Sequence, residues 1–514
     1  MASIAFESIL FDSAADGLRA QHAEPPVFFV DLNVNQIVDA ITADWAEYDL
    51  KPYFYVLLSR VEAITYRHEV MRDLENAVLF EHVNCFAQNM RSVREHLTQA
   101  GKLYYARQKQ AWYLHAVEIY CEAVQRFAAN LSSVALHSRG FSACRDYLID
   151  YVASDGFTSL VAETKQLQAD LANVRCSVLI KGDTFTVRKY AAESDYSAEV
   201  ERTFKKFKQN AVKDYKVKFS AAPEMNHIEA KILEFVDELH PRIFSRLEEY
   251  CAGNTNFLND TIIGFDREIQ FYIAYLHHTE RFKRAGLSFC YPRMSDTYKE
   301  VHSSDGFDLA LANKLVNDNA PIVSNDFYLN GKERIIVVTG PNQGGKTTFA
   351  RTFGQLHYLA SIGLPVPGRE ARLFLFDILL THFEREERIE SLRGKLQDDL
   401  IRAGAILDQA TPNSIVIMNE IFTSTTLQDA TFLSGRVMEK ILELDLLCVW
   451  VTFIDELASF CERTVSMVST VVPDNPTLRT FKIVRQPADG LSFAMSIAEK
   501  YRLTYQRVKE RVLS

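Results

Sequence analysis

Arg334-Ile335-Ile336-Val337-Val338-Thr339-Gly340-Pro341-Asn342-Gln343-Gly344-Gly345-Lys346-Thr347-Thr348 reads as a buried strand, then a phosphate-binding loop, then the opening of a helix. Gly340, Gly345, Lys346 and Thr347 stand at P-loop spacing, with Pro341, Asn342, Gln343 and Gly344 between the glycines and Thr348 following. In that pattern the glycines let backbone N–H groups curl around a polyphosphate. The lysine reaches the β- and γ-phosphates, and the hydroxyl after it binds Mg²⁺. A helix starting near Lys346 adds the positive end of its dipole. A chance glycine-rich turn would explain the glycines but not the order strand, loop, Lys-Thr, helix. Lys346 itself is read as a solvent-facing charge whose removal leaves the fold intact.

Beyond this stretch, short apolar runs alternate with helical segments from about residue 324 onward. The runs at 335–339, 414–418 and 446–453 are of the buried-strand kind, and a helix is expected after each. That is an α/β nucleotide-binding domain with a mostly parallel sheet. The second run, Ser414-Ile415-Val416-Ile417-Met418-Asn419-Glu420, delivers two polar residues to the strand's C-terminal end, where ligands bind in open α/β sheets. P-loop ATPases usually carry Asp at the first position, near the metal, and a water-polarising carboxylate at the next. Here Asn419 joins Thr347 as the metal-site pair, and Glu420 is the candidate base. Alone, Glu420 would be an exposed carboxylate at a strand end; the upstream loop favours the catalytic role.

The first ~300 residues read as mostly helical on periodicity. Leu57, Val61, Ile64, Met71, Leu74 and Val78 fall on one helical face. Tyr113, Val117, Tyr120, Val124, Phe127, Leu131 and Val134 step by four and three, the spacing of a long helix packed in a bundle. Aromatics in such a stripe are read as core. Residues 176–187 suggest two short strands joined at Gly182-Asp183. From Arg175 to Lys218 there are eleven Lys/Arg against six Asp/Glu, in a chain whose net charge is −10. Such a run is either a solvated face or a contact for DNA through Lys205, Lys206 and Lys208. Helical periodicity returns at 228–250 and 269–282, and Pro292, Gly306 and Pro321 mark 291–323 as a junction.

With 514 residues and 47% apolar content, the chain can build two or three cored domains. A pI near 5.8 excludes a basic nucleic-acid coat. The eight cysteines are scattered without C-x-x-C, which suits neither zinc nor a disulfide framework and implies a reducing compartment. No apolar run is long enough for a membrane span, and residues 1–10 carry Glu7 without a basic flank, unlike a signal peptide. A cytoplasmic protein without membrane partners is expected.

Gly340-Pro341-Asn342-x-Gly344-Gly345-Lys346-Thr347-Thr348 resembles the loop of the MutS family, which carries Pro-Asn after its first glycine. Residues 410–421, Asp429 after the Thr425-Thr426-Leu427 run, 481–498, and Ile322-Val323-Ser324-Asn325-Asp326 ahead of the loop are similar to further segments of that family. The likeness is close over about 324–512 and weaker over 30–300, where the long helices look like the family's core-and-lever region. The basic stretch stands where the family inserts its DNA-gripping clamp.

The resemblance implies an α + α/β protein: an N-terminal segment at 1–50, a helical core and lever at 51–300 with a clamp-like insertion at about 173–220, and an ABC-type ATPase domain at 301–514. It also implies ATP and Mg²⁺ as cofactors, Ile322 against the nucleotide base, and a homodimer in which each chain's Gly394-Lys395 segment closes its neighbour's nucleotide site. DNA, branched or otherwise structured, is the implied ligand, in repair or recombination. The alternative is an ATP-dependent dimeric switch that scaffolds protein partners. A small-molecule kinase would need a substrate lid, for which there is no sign.

Several positions depart from the family. No room precedes residue 50 for the mismatch-reading domain with its Phe-x-Glu wedge, or for the connector domain, so a member without mismatch recognition is expected. The chain stops soon after the ATPase segment, so no tetramerisation segment is expected. Asn419 replaces an Asp, Phe453 a His and Gly394 a Ser, with Ser391 or Lys395 as stand-ins for the last. Phe453 is assigned packing and no chemistry. Three altered groups around the γ-phosphate imply slow hydrolysis, since electrostatic positioning dominates phosphoryl transfer.

Overall fold

A computed structural model describes residues 6–20, 23–182, 184–191, 225–384, 394–472 and 475–488, with a few positions elsewhere. Lys205, Lys206, Lys208, Ser391 and the segment 489–502 lie outside the described residues. The described chain forms two compact units. One is Leu74–Leu136 with Phe141–Asp266; the other is Phe6–Asp73, His137–Gly140 and the chain from Arg267.

The first unit is built on two long helices, Ala77–Lys102 and Ala106–Ser133, packed along their lengths. Val117, Tyr120, Val124, Phe127 and Leu131 are buried, so the middle of the stripe is core as expected; Tyr113 is half-buried and Val134 stands just past the helix end. Phe127 stacks on Phe86 with centroids 4.4 Å apart, and Phe265 closes the cluster at 5.8 Å from Phe86 and 5.4 Å from Phe127. The expected hairpin forms from β1 (Cys176–Lys181) and β2 (Thr184–Lys189), paired antiparallel.

Two helical stripes break where a local signal overrides the periodicity. The face drawn through 57–78 belongs to a helix, Val61–Asp73, that stops before Asn76. The Asn76 side chain accepts the Val78 and Leu79 N–H groups, so it caps a new helix and leaves Val78 exposed. The 228–250 stretch is likewise two helices, His227–Leu239 and Pro241–Gly253. Pro241 lacks the N–H a continuing helix needs and suits a first turn.

The second unit contains the remaining strands: β3 (Phe289–Cys290), β4 (Arg293–Ser295), β5 (Val301–Gly306), β6 (Asn325–Leu329), β7 (Ile335–Thr339), β8 (Val366–Pro367), β9 (Glu370–Phe374), β10 (Leu379–His382), β11 (Ile415–Asn419), β12 (Leu447–Val451), β13 (Thr464–Val472) and β14 (Asn475–Arg485). Six form a sheet in the order β10-β11-β12-β7-β13-β14, parallel except for the β13–β14 pair. β7, β11 and β12 are buried throughout, which is why they read as unbroken apolar runs. The helices and mixed sheets agree with the α + α/β reading.

Two expectations for this unit are corrected. β12 is followed not by an α-helix but by a 3₁₀ turn, Asp455–Ser459, after Thr452 Oγ1 accepts the Ile454 N–H and turns the chain out of the strand. The stretch read as a junction at 291–323 carries β4, β5 and the helix Leu309–Asn317, and contributes to a second sheet, β4-β9-β5-β6.

The N-terminal stretch is held to this unit by a fully buried Arg67. Its Nε donates to Leu10 O at 3.0 Å and its Nη1 to Ile362 O at 2.8 Å, just past the Lys346–Ser361 helix. The guanidinium lies over Phe11 and Phe271, and burial lowers its pKa. Glu268 accepts from Ser8 Oγ and the Ile9 N–H, fixing the same segment from the other side. Among the described residues, no helix is long and apolar enough to cross a membrane.

Phe127→Ala should destabilise the protein by about 3–5 kcal/mol in a denaturant titration, and Phe127→Leu by clearly less. A negligible change in both would mean the aromatic cluster is not core.

Candidate functional site

β7 ends at Thr339, and the Lys346–Ser361 helix begins six residues past Gly340 in the sequence 340–346. Between them the backbone turns through positive φ at Gly340 (110°), Gln343 (60°) and Gly345 (92°). The loop is pressed onto β13. A Cβ on Gly340 would lie 2.9 Å from Ser469 O, and one on Gly344 2.2 Å from Ser469 Oγ and 2.9 Å from Pro341 O. Ser469 Oγ donates to Gly344 O at 2.7 Å, so a buried hydroxyl braces the loop from the neighbouring strand.

Lys346 is not the solvent-facing charge expected; it is 4% exposed. Its Nζ donates to Gly340 O at 2.9 Å, Asn342 Oδ1 at 3.1 Å and Pro341 O at 3.3 Å, and lies 3.6 Å from Glu420 Oε1. The loop folds back on its own lysine because a buried ammonium needs oxygens around it. Burial lowers the Lys346 pKa, and the Glu420 carboxylate works against that shift.

Thr347 Oγ1 donates to Asn419 Oδ1 at 2.9 Å, so the two candidate metal residues meet across the end of β11. Glu420 follows at φ 53°, a left-handed conformation that costs a non-glycine residue of order 1 kcal/mol or more. It is held there by its N–H donating to Val451 O at 2.9 Å, and its side chain is 30% exposed on the loop side. A buried lysine, a hydroxyl, an amide oxygen and a carboxylate thus converge where a helix N-terminus points.

That donor set fits a polyphosphate with a divalent cation. Lys346 and the helix N-terminus offer positive charge. Thr347 Oγ1 and Asn419 Oδ1 are neutral oxygens of the kind Mg²⁺ accepts directly or through water. No group of three or more His, Cys, Asp or Glu able to hold a metal occurs among the described residues, so a metal here would lean on those neutral oxygens and on its ligand's own.

The other predicted residues are positioned by different contacts. Ile322 is half-buried ahead of β6. Gly394 is the N-cap of the helix Lys395–Gln409, and Lys395 pairs with Glu384. Phe453, expected to pack, is corrected in degree: the residue is 48% exposed, so about half of it faces solvent. Asp429 serves locally, its N–H donating to Thr426 Oγ1 at 3.2 Å at the start of the helix Leu427–Leu444.

Sequence reasoning missed Ser469, and also Arg479, whose Nε donates to Asn342 O at 3.3 Å. Asn325 stood out in the sequence only as part of the 322–326 segment. Its amide donates to Phe481 O at 3.1 Å and accepts the Ile483 N–H at 2.7 Å, tying β6 to β14. The only sequence signal for Ser469 was a small polar residue amid valines, shared with Ser466 and Thr470.

The family model of MutS domain V matches residues 336–511. The chain is 31% identical over 186 residues to the DNA mismatch repair protein MutS of Zymomonas mobilis subsp. mobilis, covering 35% of this chain and 21% of that protein. It is 29% identical over 209 residues to endonuclease MutS2 of Gemmatimonas aurantiaca, covering 39% and 25%. With endonuclease MutS2 of Thermomicrobium roseum it shares 30% identity over 209 residues, covering 40% and 26%. The chain therefore spans only a fifth to a quarter of these relatives' lengths.

Gly344→Ala should cost about 1–3 kcal/mol of stability through its clash with Ser469. Combined with Ser469→Ala it should cost less than the sum of the two single changes, because the clashing hydroxyl is gone. Strict additivity in denaturant melts would show that the loop does not rest on Ser469.

Proposed function

We propose that the chain, whose residues 336–511 match the model of MutS domain V, is a MutS-like ATPase whose nucleotide state controls a grip on DNA. The observation that carries the reading is the convergence of Lys346, Thr347, Asn419 and Glu420 at the end of β7 and β11. In this reading 301–514 is the ATPase region, 51–300 a core and lever, and 173–220 a clamp.

ATP would bring the phosphoryl group to be transferred, and a Mg²⁺ ion held from Thr347 and Asn419 would offset its negative charge. Backbone N–H groups of 342–348 bind phosphate oxygens, and Lys346 exchanges its loop oxygens for them. Thr347 and Asn419 hold the metal side, and Ile322 lies against the base. Glu420, freed from Lys346, takes a proton from the attacking water. Asn419 contributes no negative charge and Phe453 no hydrogen bond, so turnover is slow and bound ATP acts as a long-lived signal. Two such domains dimerise around two nucleotides, with Gly394 and Lys395 completing the neighbour's site.

Purified protein should show slow ATP turnover that falls further in Glu420→Gln, and that variant with ATP should sediment as a dimer. Fast turnover that persists in Glu420→Gln would mean the base is misassigned, and a strict monomer would count against the shared site.

DNA is the proposed ligand on family grounds and on the basic stretch 175–218. Its affinity should fall steeply and linearly on a log–log plot against salt. Reversing Lys205, Lys206 and Lys208 to Glu should weaken binding alike across sequences. Equal affinity after reversal would make the stretch a solvated face, and no salt-dependent binding at all would favour a scaffold for proteins.

A further inference from the structure

The Glu420 turn has a second anchor that the mechanism above does not use. After Glu420 the chain passes through Ile421 to Phe422, which is also left-handed, with φ 59°. Two non-glycine residues in this region, flanking one residue, need fixed contacts on both sides to persist. The Glu420 N–H is taken by Val451 O on β12. The Phe422 N–H, buried with its side chain in the core, is taken by Asp399 Oδ2 at 3.3 Å. Asp399 is itself buried, one turn into the helix Lys395–Gln409, and its other oxygen lies 3.4 Å from His382 Nε2 on β10.

We infer that Asp399 is a positioning residue for Glu420: by accepting the Phe422 N–H it locks the left-handed turn that aims the Glu420 carboxylate at the loop. A carboxylate is an unusual choice for so buried a place. Burial raises its pKa, and the Phe422 N–H acts in the opposite direction. Without an acceptor, the buried Phe422 N–H is left unsatisfied. The turn then relaxes toward right-handed φ, carrying the Glu420 side chain away from Lys346 and from the end of β11. Asp399 touches neither nucleotide nor metal and acts only through this backbone.

The inference rests on the ATPase reading, and its test separates the two. ATP affinity by calorimetry, and kcat and KM for hydrolysis, are measured for the wild type, Asp399→Ala and Asp399→Asn, and for Asp399→Ala in the Glu420→Gln background. Asp399→Ala should keep its ATP affinity and KM while kcat falls by roughly 10- to 100-fold. Asp399→Asn should recover most of kcat, because its amide oxygen accepts the same N–H. On Glu420→Gln, adding Asp399→Ala should remove nothing more.

A folded Asp399→Ala with wild-type kcat overturns the inference, as does a full further loss on Glu420→Gln. If Asp399→Ala does not fold, Asp399→Ser, too short to reach the Phe422 N–H, is judged by the same criteria. A wild type that binds no ATP refutes the reading of the site itself, and the inference with it.

Discussion

A positive charge kept almost out of water is the constraint on which the second unit turns. Placing the Lys346 ammonium at 4% exposure would be costly without oxygens around it. Two of those oxygens are carbonyls of the loop itself, which must curl tightly enough to offer them, and one is the Asn342 amide. The curl requires positive φ at Gly340 and Gly345, close approach to β13 at Gly340 and Gly344, and a brace from Ser469. The remaining partner, Glu420, reaches the lysine only from a strained turn. Loop, neighbouring strand and strand-end carboxylate are thus parts of one electrostatic arrangement.

The sheet order makes that arrangement possible. β7 lies between β12 and β13, with β11 one strand further, so the loop after β7 faces the ends of three other strands. Ser469 comes from β13, Val451 O from β12, and Asn419 and Glu420 from β11. Each supplies one fixed group to the same end of the sheet, where ligands bind in open α/β folds. Lys346 in this arrangement satisfies itself with oxygens that a phosphate would replace, which gives the loop two alternatives of similar chemistry: its own carbonyls or a ligand's anionic oxygens.

Much of this was legible in the sequence where the signal is local. The Gly-x-x-x-x-Gly-Lys-Thr spacing and the apolar runs marked β7, β11 and β12, and a four-and-three aromatic stripe marked the 106–133 helix as core. What was not legible depends on partners far along the chain. One partner of the buried Lys346, Glu420, stands 74 positions later, and the role of Ser469 follows from packing on Gly344. Arg67 reads as an ordinary helix charge until the carbonyls of Leu10 and Ile362 are seen to enclose it. Asn76 and Pro241 are different: both carried local signals, a helix cap and a helix start, that were outweighed by periodicity.

The central claim is that Lys346 serves a polyphosphate and not only its own loop. Because the side chain is buried, Lys346→Met, which keeps its volume without its charge, tests this better than truncation to Ala. Calorimetric titration of Mg²⁺-ATP should give binding to the wild type that weakens by about 1.5–3 kcal/mol in a folded Lys346→Met protein. Equal affinity in the two proteins would contradict the account.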